Sequence, residues 1–438
     1  MRQIAKNSLL GIAGTLAPAG IFGISIALLF RNFSQNEQSF ALYIWLFVSS
    51  FGVLDAGLMK TSISRFWRSK RHAYTKDFMQ LAVYCVSLSA IYGVIIHSVQ
   101  ETFFPADGPP GRLSYEIPLS FILILSFQTL LSFVVRAYFE SQNCFLEANI
   151  VKSVFIGSLY AYPIFFAIPE ISLAGILSTN FQEEFLGGVT LCRTAALGGM
   201  VVFAVWHMTG SRRSDAGSRE LKPLGDSSRI ADEPWHHKFE KLIVAIIGVL
   251  SFFLFAFDKM LATSIVDLGD RTAFQYIQEI STKVFIISGA VAAAYYVELR
   301  TISCSPGRVT KFETRYGLAC AFSASVVLVG SLLLSEYAGT FLNEGLIKAS
   351  AIYLLGVISS SLGLVFLMFL QYARLYPLIL AIYCAETLIL YLLSKSTIEL
   401  TAISVSTIFF LRAFFDMILL ASSRYLAGRK LHFAPEAA

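Results

Sequence analysis

Apolar runs of about twenty residues, recurring along the whole chain, constrain its fold more than any other feature. A run of that length crosses the hydrocarbon core of a bilayer as a single helix. Inside lipid every backbone N–H and C=O must be satisfied within the structure, which leaves only helices or closed barrels. Barrel strands would appear as alternating segments of about ten residues, and the chain has none. Candidate spans lie near 8–30, 39–58, 78–98, 117–139, 148–168 and 186–207. After a polar stretch at 208–240, six more follow near 241–265, 272–297, 316–335, 346–370, 376–393 and 400–422. The expected fold class is an all-α polytopic membrane protein with about twelve transmembrane helices in two six-helix lobes. Its expected divisions are an N-terminal lobe at 1–207, a cytoplasmic linker loop at 208–240, a C-terminal lobe at 241–422 and a cytoplasmic tail at 423–438.

Composition excludes the soluble alternative. Of 438 residues 56% are hydrophobic and only 14% charged, against roughly 25% charged in ordinary soluble domains. The distribution of Lys and Arg orients the chain. With the N-terminus (Arg2, Lys6) inside, the cytoplasmic segments collect Lys60, Arg65, Arg68, Lys70, Arg71 and Lys76, the 208–240 loop, Arg300, Arg308, Lys311, Arg315, and Arg424, Arg429 and Lys430. Outer loops lean acidic, with Glu101, Asp107 and Glu116 in one and Glu170, Glu183 and Glu184 in another. The net charge of +5 thus reflects orientation in the membrane and implies no nucleic acid partner. The first apolar run is long and lacks a small-x-small cleavage site, so it is expected to remain as an anchor.

Chemistry-bearing patterns are scarce. The six cysteines fall in helices or cytoplasmic loops, where no disulfide framework is expected. The six histidines show no metal-ligand spacing; His236-His237 reads as a solvated loop pair. Gly57-Leu58-Met59-Lys60-Thr61 lacks the spacing of a phosphate-cradling loop. No nucleophile–base pair, metal cluster or cofactor motif is present, and the longest outer loop, about His97 to Tyr115, leaves no room for a catalytic domain. The expected reading is a non-enzyme without cofactor or metal.

The opening hairpin, 8 to 66, carries the most local information. Pro18 interrupts a helix where lipid offers no replacement partner, and Gly11, Gly14, Gly20 and Gly23 around it allow close helix contact. The first helix is expected to be bent there, either as a hinge or as a static packing kink. The layout returns faintly at 257–290, where Tyr276 and Ile277 align with Tyr43 and Ile44. Two related lobes would place a substrate site between them.

Charges at bilayer depth cost about 2.5–3.5 kcal/mol each even on lenient scales. Asp55, Arg136 and Lys152 lie near cytoplasmic ends, where snorkelling accounts for them. Deeper lie Asp258 and Lys259 in helix seven, Glu279 and Lys283 in helix eight, Arg193 in helix six, Glu386 in helix eleven, and Arg412 with Asp416 in helix twelve. Glu279/Lys283 and Arg412/Asp416 are spaced by four, so each pair could neutralise itself on one helix face. The alternative is a water-filled cavity between the lobes in which these groups meet a charged substrate.

The Gly/Pro opening helix, the turn ending near Phe40-Ala41-Leu42-Tyr43, the close on Leu54-Asp55-Ala56-Gly57-Leu58, Arg65 downstream and the Asp258-Lys259 start of the second hairpin together resemble a known family. They are similar to the polysaccharide-biosynthesis (O-antigen, Wzx-type) flippases of the multidrug/oligosaccharidyl-lipid/polysaccharide (MOP) exporter superfamily. The resemblance implies two lobes forming a V, with helices one, two, seven and eight around a cationic cavity. It implies movement of an undecaprenyl-pyrophosphate-linked oligosaccharide across the bacterial cytoplasmic membrane by alternating access, with both termini cytoplasmic. Lys259, Lys283 and Arg193 would then bind the anionic substrate, Asp258 or Glu279 would couple to ions, and Pro18 would gate. Asp55, Gly57 and Arg65 would be structural marks of the family. Membrane lipids, and a polysaccharide polymerase or glycosyltransferases, would be partners.

Two alternatives stand beside it. A cation-coupled small-molecule exporter of the same superfamily would want an acidic cavity, whereas a non-transporting scaffold of a glycan-synthesis complex would need no deep charges. The major-facilitator signature after helix two is missing, since Asp55 precedes Gly57 and Lys60-Thr61-Ser62 follow. The orientation is open to a direct test. Fusions of green fluorescent protein after 225 and after 438 should fluoresce, and alkaline phosphatase at the same points should stay inactive.

Overall fold

The structure, a computed structural model, describes residues 18, 20–53, 58–69, 73–103, 117–142, 144–166, 180–210, 236–265, 267–281, 344–373, 375–394 and 400–433, with isolated positions between 288 and 329. Of a few further residues, Asp258 among them, only the backbone is described. Lys283, Asp55, Gly57, the 211–235 part of the linker and most of the ninth expected span lie outside the described residues.

Nearly all described residues are helical. The elements are α1 (Gly20–Asn32), α2 (Gln35–Ser50) with a 3-10 extension at Phe51–Val53, α3 (Leu58–Arg68), α4 (Tyr74–Phe103), α5 (Leu119–Ser141), α6 (Phe145–Tyr160), the short α7 (Tyr162–Phe166) and α8 (Phe181–Gly210). After the linker come α9 (His236–Ala262), α10 (268–281), α11 (Glu344–Tyr372), α12 (Tyr376–Ser394) and α13 (Ala402–Phe433). Among the described residues six helices are long and apolar enough to cross a membrane, and Gly20–Asn32 and Tyr376–Leu392 are shorter apolar helices.

Local chemistry sets the helix starts. The Ser34 N–H and hydroxyl both donate to the Glu37 carboxylate at 2.7 Å, satisfying the entry to α2 in the manner of a capping box. At α13, Thr401 N–H donates to Ser404 Oγ at 2.7 Å and Ser404 N–H returns to Thr401 Oγ1 at 3.2 Å. Pro118, Pro163 and Pro377 stand at or just inside the starts of α5, α7 and α12, where a missing N–H costs nothing.

One element is new relative to the sequence reading. The basic segment after helix two is not a loop but the amphipathic helix α3, whose Leu58, Ser62 and Phe66 are buried at a spacing of four. Phe66 packs edge-on against Tyr138 of α5 at 5.5 Å and Tyr74 of α4 at 6.2 Å. Arg65 is placed by this helix: its Nε lies 2.8 Å from Asp77 Oδ1 of α4, and its guanidinium also reaches Gln80. Eleven residues are too few, and too charged, for a span-length window to register.

Buried apolar side chains gather in two cores. The first unites α1 to α8, and the second unites α9 to α13. α9 serves both: Phe252, Ala256 and Met260, spaced by four, join the first core, while Phe253, Phe257 and Leu261 join the second. A helix apolar on two faces can bridge two lobes. Within the second lobe α11 and α13 pack closely because Gly356 has no Cβ; one built there would lie 2.6 Å from Phe409 Cδ1 and 3.1 Å from Phe410 Cα. Gly356→Ala should therefore lower stability by about 1–3 kcal/mol through overpacking, seen as a lower melting temperature in detergent.

Candidate functional site

Among the described residues three buried polar connections cross from the first lobe to the second. The one nearest the start of α2 is Ser39, whose hydroxyl donates to Gln275 Oε1 of α10 at 2.8 Å, both residues fully buried. Phe30 of α1 lies edge-on to Tyr276 of the same helix at 5.8 Å. Nearby, the Tyr160 hydroxyl donates to Glu279 Oε1 at 2.6 Å. The short distance fits an O–H donor facing a carboxylate.

Tyr160 is a hub because it ends α6. Its backbone carbonyl, one of the last in that helix, accepts the Ser25 hydroxyl of α1. Its ring packs edge-on against Phe22 of α1 at 5.2 Å and Trp45 of α2 at 5.3 Å. So one residue holds α1 by its backbone, α1 and α2 by its ring, and α10 by its hydroxyl. Gly157, one turn earlier, makes room for this approach. A Cβ there would lie 2.8 Å from Ile21 Cδ1 and 4.0 Å from Pro18 Cα. Pro18 is thus buried against the helix that carries Tyr160.

The third connection is Lys259. It stands near the end of α9, and helical side chains lean toward the N-terminus of their own helix. The Nζ accordingly lies 3.9 Å over the Phe255 ring, four residues back. It donates to Leu46 O at 3.4 Å, Ser49 Oγ at 3.1 Å and Ser50 Oγ at 3.2 Å. These acceptors form the last turn of α2. The Ser49 and Ser50 hydroxyls themselves donate to Leu46 O, at 2.8 and 3.0 Å, and the Phe51 N–H reaches Val48 O and Ser49 O, so this end is partly closed by its own residues while still carrying the negative end of the helix dipole. Lys259, 2% exposed, thus brings a cation from the other lobe to the negative end of α2. Phe252 of α9 packs edge-on against Phe47 and Phe51 beneath it.

Arg193 lies elsewhere. On α8, and buried, it donates to Gln128 Oε1 at 3.3 Å and Thr129 Oγ1 at 3.1 Å of α5. Its guanidinium lies 4.0 Å over Phe155 of α6. No carboxylate pairs with it among the described residues. It sits within the first lobe, close enough to Tyr160 to act on it electrostatically.

Of the residues singled out in the sequence, the structure brings Lys259 and Glu279 to the lobe seam and leaves Pro18 and Arg193 one helix behind it. Asp258 is present as backbone only, and Lys283, Asp55 and Gly57 lie outside the described residues. Arg65 is far from the seam, tying α3 to α4. Sequence reasoning missed Tyr160, Ser39, Gln275 and the Ser49-Ser50 pair. The serines at the end of an apolar helix were a visible signal; Tyr160, 119 residues from Glu279, gave none. Among the described residues no group of His, Cys, Asp and Glu could hold a metal ion.

Tyr160→Phe should leave Glu279 short of one donor, at about 1–3 kcal/mol for a buried group. A lower melting temperature, together with a broadened α6–α10 distance between paired spin labels, would be the expected result.

No protein-family model matches the chain, and no curated protein matches it in sequence. Solved structures match in fold. One described as the outward-facing conformation of a multidrug resistance MATE family transporter of the MOP superfamily gives a TM-score of 0.56 at 12% identity, covering 99% of this chain and 96% of that one. A MATE in complex with Br-NRF gives 0.53 at 13% identity, covering 97% and 96%. A MOP superfamily transporter from Pyrococcus furiosus, whose binding pocket of reverse polarity is described as suggesting a different function, gives 0.51 at 12% identity over 97% and 96%. At such identities the likeness establishes the architecture: this chain has the two-lobed helical fold of MOP superfamily transporters.

Proposed function

We propose that this chain is an alternating-access exporter of the bacterial cytoplasmic membrane, moving a small amphipathic molecule outward in exchange for a cation that runs down its gradient. The observation that carries this reading is the seam of Ser39–Gln275, Tyr160–Glu279 and Lys259–α2. The lobes meet there through a few directional bonds between hydroxyls, an amide, a carboxylate and an ammonium. Each bond is worth only about 0.5–3 kcal/mol net, so the set can open without unfolding either core. With the orientation that Lys and Arg give the chain, the α2 and α10 starts are extracytoplasmic, so Ser39–Gln275 closes the outer part of the seam and Lys259 holds the last turn of α2, about 16 Å deeper. The lobes, 1–207 and 241–422, would rock about it, with Pro18 as the bending point of the first helix.

Glu279 has the place and chemistry of a coupling group. A proton or small cation reaching its carboxylate would compete with the Tyr160 hydroxyl and loosen the joint between α6 and α10. The fold neighbours support the exporter reading, since they are transporters and one is described as a multidrug resistance protein.

A second reading, the flippase of a lipid-linked oligosaccharide, is favoured by a specific observation. A lysine stands on the seam, and Lys283 follows Glu279 by four in sequence. Against it, Lys259 is engaged with three oxygens of α2 and Arg193 with α5, so a pyrophosphate would have to displace protein partners from both. A polymerase or glycosyltransferases would be partners only on this reading.

Reconstitution into liposomes with an imposed pH or sodium gradient and ethidium as probe separates the two. Gradient-driven ethidium movement, reduced at least tenfold by Glu279→Gln, is the expected outcome. No ethidium movement, with loss of surface glycan on an immunoblot when both Lys259 and Lys283 are replaced by Ala, would give the flippase reading instead. If neutralising Asp258, Lys259, Glu279 and Lys283 alters neither readout, the chain is a scaffold.

A further inference from the structure

The second lobe holds a cluster of ionisable groups that the lobe seam does not use. Glu386 on α12, 2% exposed, faces Arg412 on α13, with 3.9 Å between Glu386 Oε2 and the nearest guanidinium nitrogen. That is an ion pair at the limit of contact and no hydrogen bond. Neither Glu386 oxygen has a hydrogen-bond partner by that standard, and Asp416 Oδ1 has none either. Asp416 lies one turn beyond Arg412 on the same face of α13, the face from which Arg412 reaches Glu386. At about 1.5 Å per residue, Glu386 stands about 15 Å into α12 and Asp416 about 21 Å into α13. Both are therefore at mid-depth in their spans.

The neighbours add no charge to this group among the described residues. α12 contributes Tyr383, whose hydroxyl turns to Ser251 of α9. α11 contributes Gly363, where a Cβ would lie 3.8 Å from Asp416 Oδ2. The Arg412 guanidinium is steadied 5.4 Å over the Phe409 ring. One guanidinium against two carboxylates leaves one negative charge at mid-membrane, where an unneutralised charge costs several kcal/mol. Two ionised carboxylates also cannot share one position without a proton or a cation between them.

We infer that Glu386 and Asp416 together hold one exchangeable proton, forming a proton-binding site inside the second lobe and apart from the lobe seam. One carboxyl carries the proton and donates it to the other carboxylate, and Arg412 balances the single charge that remains. The proton arrives from water and returns to it, with no bond made or broken in the chain beyond the carboxyl O–H. Asp416, half-buried where Glu386 is buried, is the member through which it exchanges. The inference does not depend on what, if anything, the chain exports.

Infrared titration of the full-length protein in nanodiscs tests it. The wild type should show a protonated carboxylic acid band at neutral pH. That band should disappear in Glu386→Gln and in Asp416→Asn, because in each variant Arg412 alone neutralises the remaining carboxylate. Asp416→Glu should keep it. The thermal stability of the wild type should fall as pH rises from the ordinary carboxylate range to the pH at which the band is lost and level off beyond it, and both amide variants should flatten that dependence. If the amide variants do not fold, carbodiimide labelling of the wild type with peptide mapping replaces them. Modification at Glu386 or Asp416 that slows at least several-fold at alkaline pH supports the site, and no modification at either overturns it. A band unchanged in both amide variants overturns it as well. So does a wild type without the band whose melting is raised by sodium or potassium, which would make the pair a metal-cation site.

Discussion

The ammonium of Lys259 depends on the last turn of α2, and the contact between the lobes depends on both. An ammonium at bilayer depth has no solvent to share its charge. The end of α2, closed on itself by the Ser49 and Ser50 hydroxyls on Leu46 O, presents the negative end of a helix dipole. Lys259 lies against Leu46 O, Ser49 and Ser50, and over Phe255, and so sets its charge where the other lobe can neutralise it. Because these oxygens belong to the other lobe, parting the two would strand the ammonium unless water entered.

Around this joint the molecule alternates stiff and yielding parts. The aromatic cluster of Phe22, Trp45 and Tyr160 binds α1, α2 and α6 into one body through edge-on contacts of 5.2 to 5.9 Å. In the second lobe Tyr353 and Phe409 stack at 4.4 Å across a glycine contact. Between these bodies lie single hydrogen bonds, of which Tyr160–Glu279 also reports on the position of α1. The same residue anchors Ser25 by its backbone carbonyl. A change of partner at Glu279 is thereby felt by the helix that carries Pro18.

The buried charges divide by how they are neutralised. Lys259 and Arg193 rest on oxygens and aromatic faces, which suits cations. Glu279 has a phenol, and Glu386 with Asp416 has a single arginine for two carboxylates. The cation contacts thus lie at the seam and within the first lobe, and the carboxylates deep in the second.

Much was legible in the sequence: an all-helical membrane protein of two lobes, and which residues at bilayer depth needed explaining. These follow from hydropathy, charge distribution and the cost of burying a charge, all of them local in the chain. α3 escaped because eleven amphipathic residues do not resemble a span. What only the tertiary structure decided is which deep charges meet. Lys259 faces the end of a helix 213 residues earlier in the chain rather than open water, and Arg193 turns into its own lobe instead of joining Lys259. Arg412, which the spacing could pair with Asp416 on its own helix, also reaches Glu386 on the neighbouring one. Spacing specifies the face a residue occupies on its own helix; the crossing of helices, set by glycines and aromatics far away in the chain, chooses the neighbour.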